Sequence, residues 1–229
     1  MTTNIGIESK LDEKNPAVVL ASDLTVTRQE YVDKGDFVIR NTTKGETQKI
    51  HIATSGDFAI AIAGTVDEPL FDFLYNMLNG KHDIQKAIKK GDYPEIRNLN
   101  AYRWQGRMPN NNITSLIIAS RFDNKPAFYT AWPLGLIEPR IWTAIGSGSD
   151  YALKHIANSG FPRPPNKSIS ESIQLANDAL MAASEDMYTG GLDLVVVKKD
   201  GIDTYGSLVK KKIDRAKRNV INQIKSKYR

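Results

Sequence analysis

Hydrophobic and polar positions change their period several times along this chain, and each change marks an element. Residues 3–8 alternate weakly and predict a short strand. The Asn15-Pro16 turn then leads into a run of β-formers at 17–21 that ends in Ser22-Asp23. Two strands joined by a polar turn predict a hairpin that puts Thr2 beside Asp23. From 24 to 47 the chain is mixed and polar, with one strand expected at 37–40, and reads as a long hairpin or flap. Two more strands are expected at 48–53 and 58–63, split by the Ser55-Gly56-Asp57 turn. After Gly64-Thr65 the period lengthens. Leu70, Phe71, Leu74, Tyr75 and Leu78 recur at helical spacing, and Gly80 marks the stop.

Helical stretches follow at 82–90 and 95–107, and 108–112 reads as loop. Strands return at 114–120, 127–130 and 140–145, and Gly146-Ser147-Gly148-Ser149 forms a tight turn into a helix over 150–158. Beyond the Pro-rich segment 161–165, Ser168 and Ser170 offer N-caps for a long helix running to Asp186. Glu171 completes a capping box with Ser168. Strands at 192–197 and 202–205 close as a hairpin around Asp200-Gly201. The order of strands, helices, strands, helices, strands and helix argues against a doubly wound α/β fold. It predicts an α+β domain of antiparallel sheets covered by helix pairs. No internal repeat or low-complexity linker divides it, so residues 1–207 are expected to form one domain, followed by a tail at 208–229.

Composition changes this picture in two ways. With 229 residues, 41% hydrophobic and 25% charged, the chain is ordinary for a globular domain, but it has no cysteine. That excludes a disulfide framework, a thiolate metal site and a cysteine nucleophile, and is compatible with a reducing compartment. Neither a signal peptide nor a long apolar run is visible, so a cytoplasmic location without membrane contact is the expectation. The net charge of +5 is unevenly spread: nine basic residues against the single acid Asp214 between Lys210 and Arg229 give the tail +8 and leave −3 elsewhere. In the tail Ile213, Val220, Ile224 and Tyr228 fall near one helical face, predicting a solvated helix packed by one stripe. A subunit contact is the alternative; nucleic acid is not expected, because interleaved aromatics are missing.

Candidate chemistry starts at Thr2. Removal of Met1 would leave one residue carrying both a hydroxyl nucleophile and a free α-amine of pKa about 7.7–8.0, a general base near neutral pH. His51, His82 and His155 lie far apart without metal-ligand spacing, so no metal is expected. The Gly146-Ser147-Gly148-Ser149 turn lacks the lysine of a phosphate loop, and no cofactor is expected.

Six motifs then occur in order: Thr2-Thr3-Asn4-Ile5-Gly6, Val19-Leu20-Ala21-Ser22-Asp23, Gln48-Lys49-Ile50-His51, Ala61-Ile62-Ala63-Gly64-Thr65, Gly146-Ser147-Gly148-Ser149 and Asp186-Met187-Tyr188-Thr189-Gly190. Together they resemble the β-type subunits of the proteasome family. These are N-terminal-nucleophile hydrolases, a group that includes the peptidase subunit of bacterial ATP-dependent ring proteases. The resemblance spans Thr2 to Tyr205 and implies a four-layer αββα sandwich of two antiparallel sheets. It makes Thr2 the nucleophile, Lys49 the cation beside its hydroxyl and Asp23 the holder of that lysine. Ser147, Asp186 and Thr189 would form the polar shell around the terminal amine, and the amide of Gly64 would stabilise the oxyanion. Val26, His51 and Ile62 would border the substrate pocket, with bulky Ile62 making it shallow and apolar.

The physical logic agrees. A lysine ammonium within about 4–6 Å favours an ionised neighbour, and such a buried lysine needs a carboxylate partner. A glycine at a strand-to-helix junction can bring its N–H close to a carbonyl. By resemblance the subunits assemble into homo-oligomeric stacked rings that enclose the active sites and cleave peptides or unfolded proteins, fed by an ATP-dependent unfoldase or another activator. Three departures from the family stand out: the long segment 24–47, the region 98–112 and the tail. The alternatives are an N-terminal-threonine peptide ligase or transpeptidase, an inactive structural ring subunit, and a basic-tailed binding protein on a borrowed fold.

Overall fold

The computed structural model describes residues 2–10, 16–33, 38–46, 49–64, 68–104, 113–160, 167–184 and 192–208; of these, 25–33, 38–46, 102–104 and 206–208 are described by their backbone alone. The strands are β1 (Thr3–Ser9), β2 (Ala17–Ser22), β3 (Thr25–Asp33), β4 (Val38–Glu46), β5 (Ile50–Ile52), β6 (Phe58–Ala63), β7 (Ser115–Ser120), β8 (Ala127–Ala131), β9 (Ile137–Arg140), β10 (Trp142–Gly146), β11 (Leu192–Lys198) and β12 (Gly201–Leu208). The helices are α1 (Glu68–Leu78), α2 (Ile84–Lys90), α3 (Pro94–Trp104), α4 (Ser149–Asn158) and α5 (Ile169–Ala183). One sheet runs β10-β1-β2-β11-β12 and the other β5-β6-β7-β8-β9, all pairs antiparallel. β3 and β4 pair only with each other among the described residues.

Both faces of each sheet are covered, so β2, β6, β7 and β11 are apolar at nearly every position rather than at every second one. In the first sheet Ile5, Ile7, Val19, Ala21, Leu194 and Val196 face one way, onto Ala152 and Ile156 of α4 and Ile173, Ala176 and Leu180 of α5. Val18, Leu20, Val195 and Val197 face the other way, onto Ala59, Ala61, Ile117, Ala119 and Phe128 of the second sheet. The far side of that sheet, Ile60, Ile62, Leu116 and Ile118, packs on Leu70, Phe73, Leu74, Met77, Ile84 and Ile96 of α1–α3. The layers are therefore helix, sheet, sheet, helix, as expected. Gly6 lets the sheets meet: a Cβ there would stand 3.0 Å from the Phe128 ring and 3.1 Å from the Ile117 side chain.

Several boundaries follow local chemistry. The Ser168 hydroxyl accepts from the Glu171 amide, and the Glu171 carboxylate accepts from the Ser168 amide, so α5 opens on the predicted capping box. α2 starts on the Asp83 cap and stops where Gly91 turns left-handed.

Four expectations need correction. The stripe on α1 is rotated: Leu70, Phe73, Leu74 and Met77 are buried, whereas Phe71 and Tyr75 are 60% and 63% exposed. The expected strand at 140–145 is two: β9 ends at Arg140, and β10 begins at Trp142 and turns back to pair with β1. The single strand at 37–40 is part of a hairpin of two nine-residue strands. The strand expected at 48–53 is confined to three residues, with Lys49 just ahead of it. The loop 108–112, the C-terminal end of the α5 region and the tail from 209 onward lie outside the described residues.

Candidate active site

The hairpin of β1 and β2 builds the first half of the site. Its register pairs Asn4 with Ser22, which leaves Thr3 opposite Asp23. The Asp23 amide donates to the Thr3 carbonyl at 3.0 Å, and the Thr3 amide donates to Asp23 Oδ1 at 2.5 Å. The carboxylate thus grips the peptide that links Thr2 to Thr3. Its other oxygen, Oδ2, takes a hydrogen bond from Lys49 Nζ at 2.9 Å, which brings in the second sheet through the residue just before β5.

All three groups are shielded from water: Thr2 is 7%, Asp23 0% and Lys49 6% exposed. Burial lowers the Lys49 pKa below its ordinary value, and the charge and hydrogen bond of Asp23 oppose that shift. An ion pair in such a place is costly to form and more costly to break, because either partner left alone is an uncompensated buried charge. Chemically, a dry ammonium favours ionisation of a hydroxyl within a few ångströms of it, about 4–6 Å.

The turn after β10 fixes Thr2 from the other side. The Ser147 amide donates to the Thr2 carbonyl at 2.8 Å, and the Gly148 amide donates to Thr3 Oγ1 at 3.1 Å. Gly146 makes this possible. Its φ is +105°, and a Cβ would stand 1.6 Å from the Thr2 carbonyl oxygen, so no side chain fits. The Ser147 side chain itself is exposed, and its contact with Thr2 runs through the amide.

Gly64, at the end of β6, has φ +142°, and a Cβ there would lie 2.7 Å from the Ile113 carbonyl oxygen and 2.8 Å from Thr114 Cα. Ile62 is buried in the core beneath α1–α3, and His51, paired with Ile60 across β5 and β6, shares that face of the sheet. Burial holds the His51 imidazole below its ordinary pKa. Val26 lies on β3 opposite Gly45, and its side chain is outside the described residues, as are Asp186 and Thr189.

Two residues of the site were not anticipated. Asn100, fully buried, donates to the carbonyls of Ile96, Thr114 and Pro133 and accepts from the Thr114 amide at 2.7 Å, fixing the residue that packs on Gly64. Asp193, on β11, lies behind Lys49 and accepts from the Ile50 amide at 3.4 Å. The signal for it was present: one acid inside the apolar run Leu192–Lys198.

Sheets stacked between helix layers, with the chain start on a central hairpin strand of one sheet, are the α+β sandwich of the N-terminal-nucleophile hydrolases. The family model for the proteasome subunit matches residues 3–197, and the chain belongs to the proteasome subunit family. It is similar to proteasome subunit beta 1 of Nitrosopumilus maritimus (strain SCM1), 36% identical over 100 residues, which span 43% of this chain and 48% of that protein. It is also similar to proteasome subunit beta 1 of Desulfurococcus amylolyticus, 27% identical over 205 residues, 87% of this chain and 90% of that protein. The first match thus covers about half of its relative's length and the second nearly all.

Proposed function

We propose that this chain is a threonine peptidase subunit of a self-compartmentalising ring, with Thr2 as the N-terminal nucleophile after removal of Met1. The observation that carries the reading is the Asp23 carboxylate, which holds the Lys49 ammonium and the Thr2–Thr3 peptide at once. Family membership supports a protease-type ring subunit and assembly into stacked rings.

In the proposed reaction Thr2 Oγ attacks a peptide carbonyl carbon while the Thr2 amine takes the hydroxyl proton through a water. Lys49 lowers the cost of charge on Oγ, and Asp23 keeps the lysine protonated and aimed. The amide of Gly64 stabilises the oxyanion. The C–N bond then breaks, the amine returns its proton to the leaving nitrogen, and an ester to Thr2 remains. Water entering the same base position hydrolyses that ester and restores the hydroxyl. Ser147, Asp186 and Thr189 hold the amine in place. Val26, His51 and Ile62 border a shallow apolar pocket, so small apolar side chains are favoured over large basic ones at the cleavage position.

The substrate is an unfolded polypeptide inside a homo-oligomeric chamber in the cytoplasm, delivered by an ATP-dependent unfoldase or another activator. Hydrolysis of fluorogenic peptides by the purified chain tests the reading. Activity should be abolished by Thr2→Ala and by Lys49→Ala. Equal turnover in wild type and Thr2→Ala would refute it.

A further inference from the structure

Across the inner face of the first sheet, the interior turns polar for one rung. The register places Asn4 beside Ser22 and Ser22 beside Asp193. The alternation that sends Val18, Leu20, Val195 and Val197 between the sheets sends these three side chains there too. Ser22 Oγ donates to Asn4 Oδ1 at 2.5 Å, which accounts for the middle of the rung. Asp193 has another role. It is 1% exposed, and its Oδ2 accepts across the gap from the other sheet. The Ile50 amide donates to Oδ2 at 3.4 Å, and the Lys49 amide and the Leu194 amide of its own strand also donate to the carboxylate.

The Lys49 and Ile50 amides stand at the entry to β5, a three-residue strand at the edge of its sheet. An edge strand has a neighbour on one side only, and a strand this short has little of its own to hold its first residues in register. Lys49, immediately before that strand, must reach across to Asp23. A buried carboxylate is an expensive way to satisfy these amides, since burial works against its charge.

We infer that Asp193 is a positioning residue. Its carboxylate anchors the start of β5 through the Lys49 and Ile50 amides and thereby fixes the path along which the Lys49 side chain reaches Asp23. It acts through the lysine backbone and does not touch substrate. The catalytic consequence rests on the peptidase reading, whereas the anchoring of β5 does not.

The test compares wild type, Asp193→Ala and Asp193→Asn in the full chain by two readouts. Asparagine keeps the shape and one acceptor, so it serves where alanine fails to fold. Amide hydrogen exchange, read by mass spectrometry on a peptide covering residues 49–52, should speed up about tenfold or more in the alanine variant and less in the asparagine variant, with other peptides unchanged. The rate constant for modification by an irreversible N-terminal-threonine inhibitor should fall about tenfold or more, while its half-saturating concentration stays within about twofold, because a displaced lysine slows chemistry without altering the pocket. Unchanged exchange in this peptide, or faster exchange with an unchanged modification rate, overturns the proposal. If wild type acquires no adduct, the peptidase reading falls, and exchange alone decides whether Asp193 anchors β5.

Discussion

A Cβ on Gly146 would stand 1.6 Å from the carbonyl oxygen of Thr2, closer than any non-bonded pair can come. The turn that fixes the chain start is therefore built for glycine alone. Gly146→Ala must displace Thr2, adopt a left-handed backbone as a residue with a side chain, or both, and a strained residue of that kind costs about 1–3 kcal/mol before any clash. For a chain of this size each kcal/mol lowers Tm by roughly 2–4 °C. Gly146→Ala should therefore melt lower by at least several degrees and lose Thr2 reactivity. Gly201→Ala is the control, because a Cβ there meets nothing within 4 Å. Equal melting of the two variants would contradict this.

The Asp23–Lys49 pair predicts a thermodynamic coupling. Removing either partner strands the other in a dry site and should cost about 3–5 kcal/mol. Asp23→Ala also leaves the Thr3 amide without its carboxylate acceptor. The double variant with Lys49→Ala removes the stranded charge, so its loss should fall short of the sum of the single losses by about 0.5–3 kcal/mol. Denaturant titration of the four chains measures this; strictly additive losses would mean the pair is not coupled.

Lysine titration sets a pH limit on reactivity. Burial lowers the Lys49 pKa and Asp23 raises it. The ammonium should thus be lost below the ordinary lysine value of about 10.4, and the alkaline limb of Thr2 modification should lie below that pH. Replacing Asp23 with Asn removes the opposing effect and should move the limb further down. A limb that moves upward in Asp23→Asn would contradict the assigned pairing.

For Asp193 the sign is opposite. Burial raises its pKa, so the folded chain holds that proton to higher pH than the unfolded chain does. Its contribution to stability is fully present below the unfolded value of about 3.9 and is lost as pH rises through the raised folded value. Asp193→Asn cannot titrate. The melting temperature of wild type minus that of Asp193→Asn should therefore fall as pH is raised from about 4 toward 7, and a rising difference would contradict the assignment.

Much of this arrangement could be read from residue order, and the exceptions have physical reasons. The apolar run at β2, the cap at Ser168 and Glu171 and the turn at Gly146 are local signals, and the structure uses them as local signals predict. Lys49 and Asp23 each stand at the edge of a β-forming run inside a motif, and the structure brings the two side chains together. The facing of α1 is not legible in the sequence because apolar residues occur on two of its faces, and only the sheet beneath decides that Phe73 and Met77 go in while Phe71 and Tyr75 stay out. β9 was missed because Ile137-Glu138-Pro139-Arg140 has neither alternation nor β-formers enough; pairing with β8 makes it a strand. The polar residues of β3 and β4 likewise give no hydrophobic period, and their strands are defined by pairing with each other. Asp193 was visible as an oddity, but its partner is 143 residues away in the chain, and no local pattern reports a contact of that span.

The proposed peptidase reading requires Thr2 to carry the nucleophile at a free N-terminus. Intact-mass and peptide mapping of the purified chain, before and after incubation with an irreversible N-terminal-threonine inhibitor, tests it most directly. Loss of Met1, addition of one inhibitor per chain on the peptide beginning at Thr2, and no addition in Lys49→Ala over the same time are expected. A chain that retains Met1, or one that begins at Thr2 and remains unmodified, would contradict it.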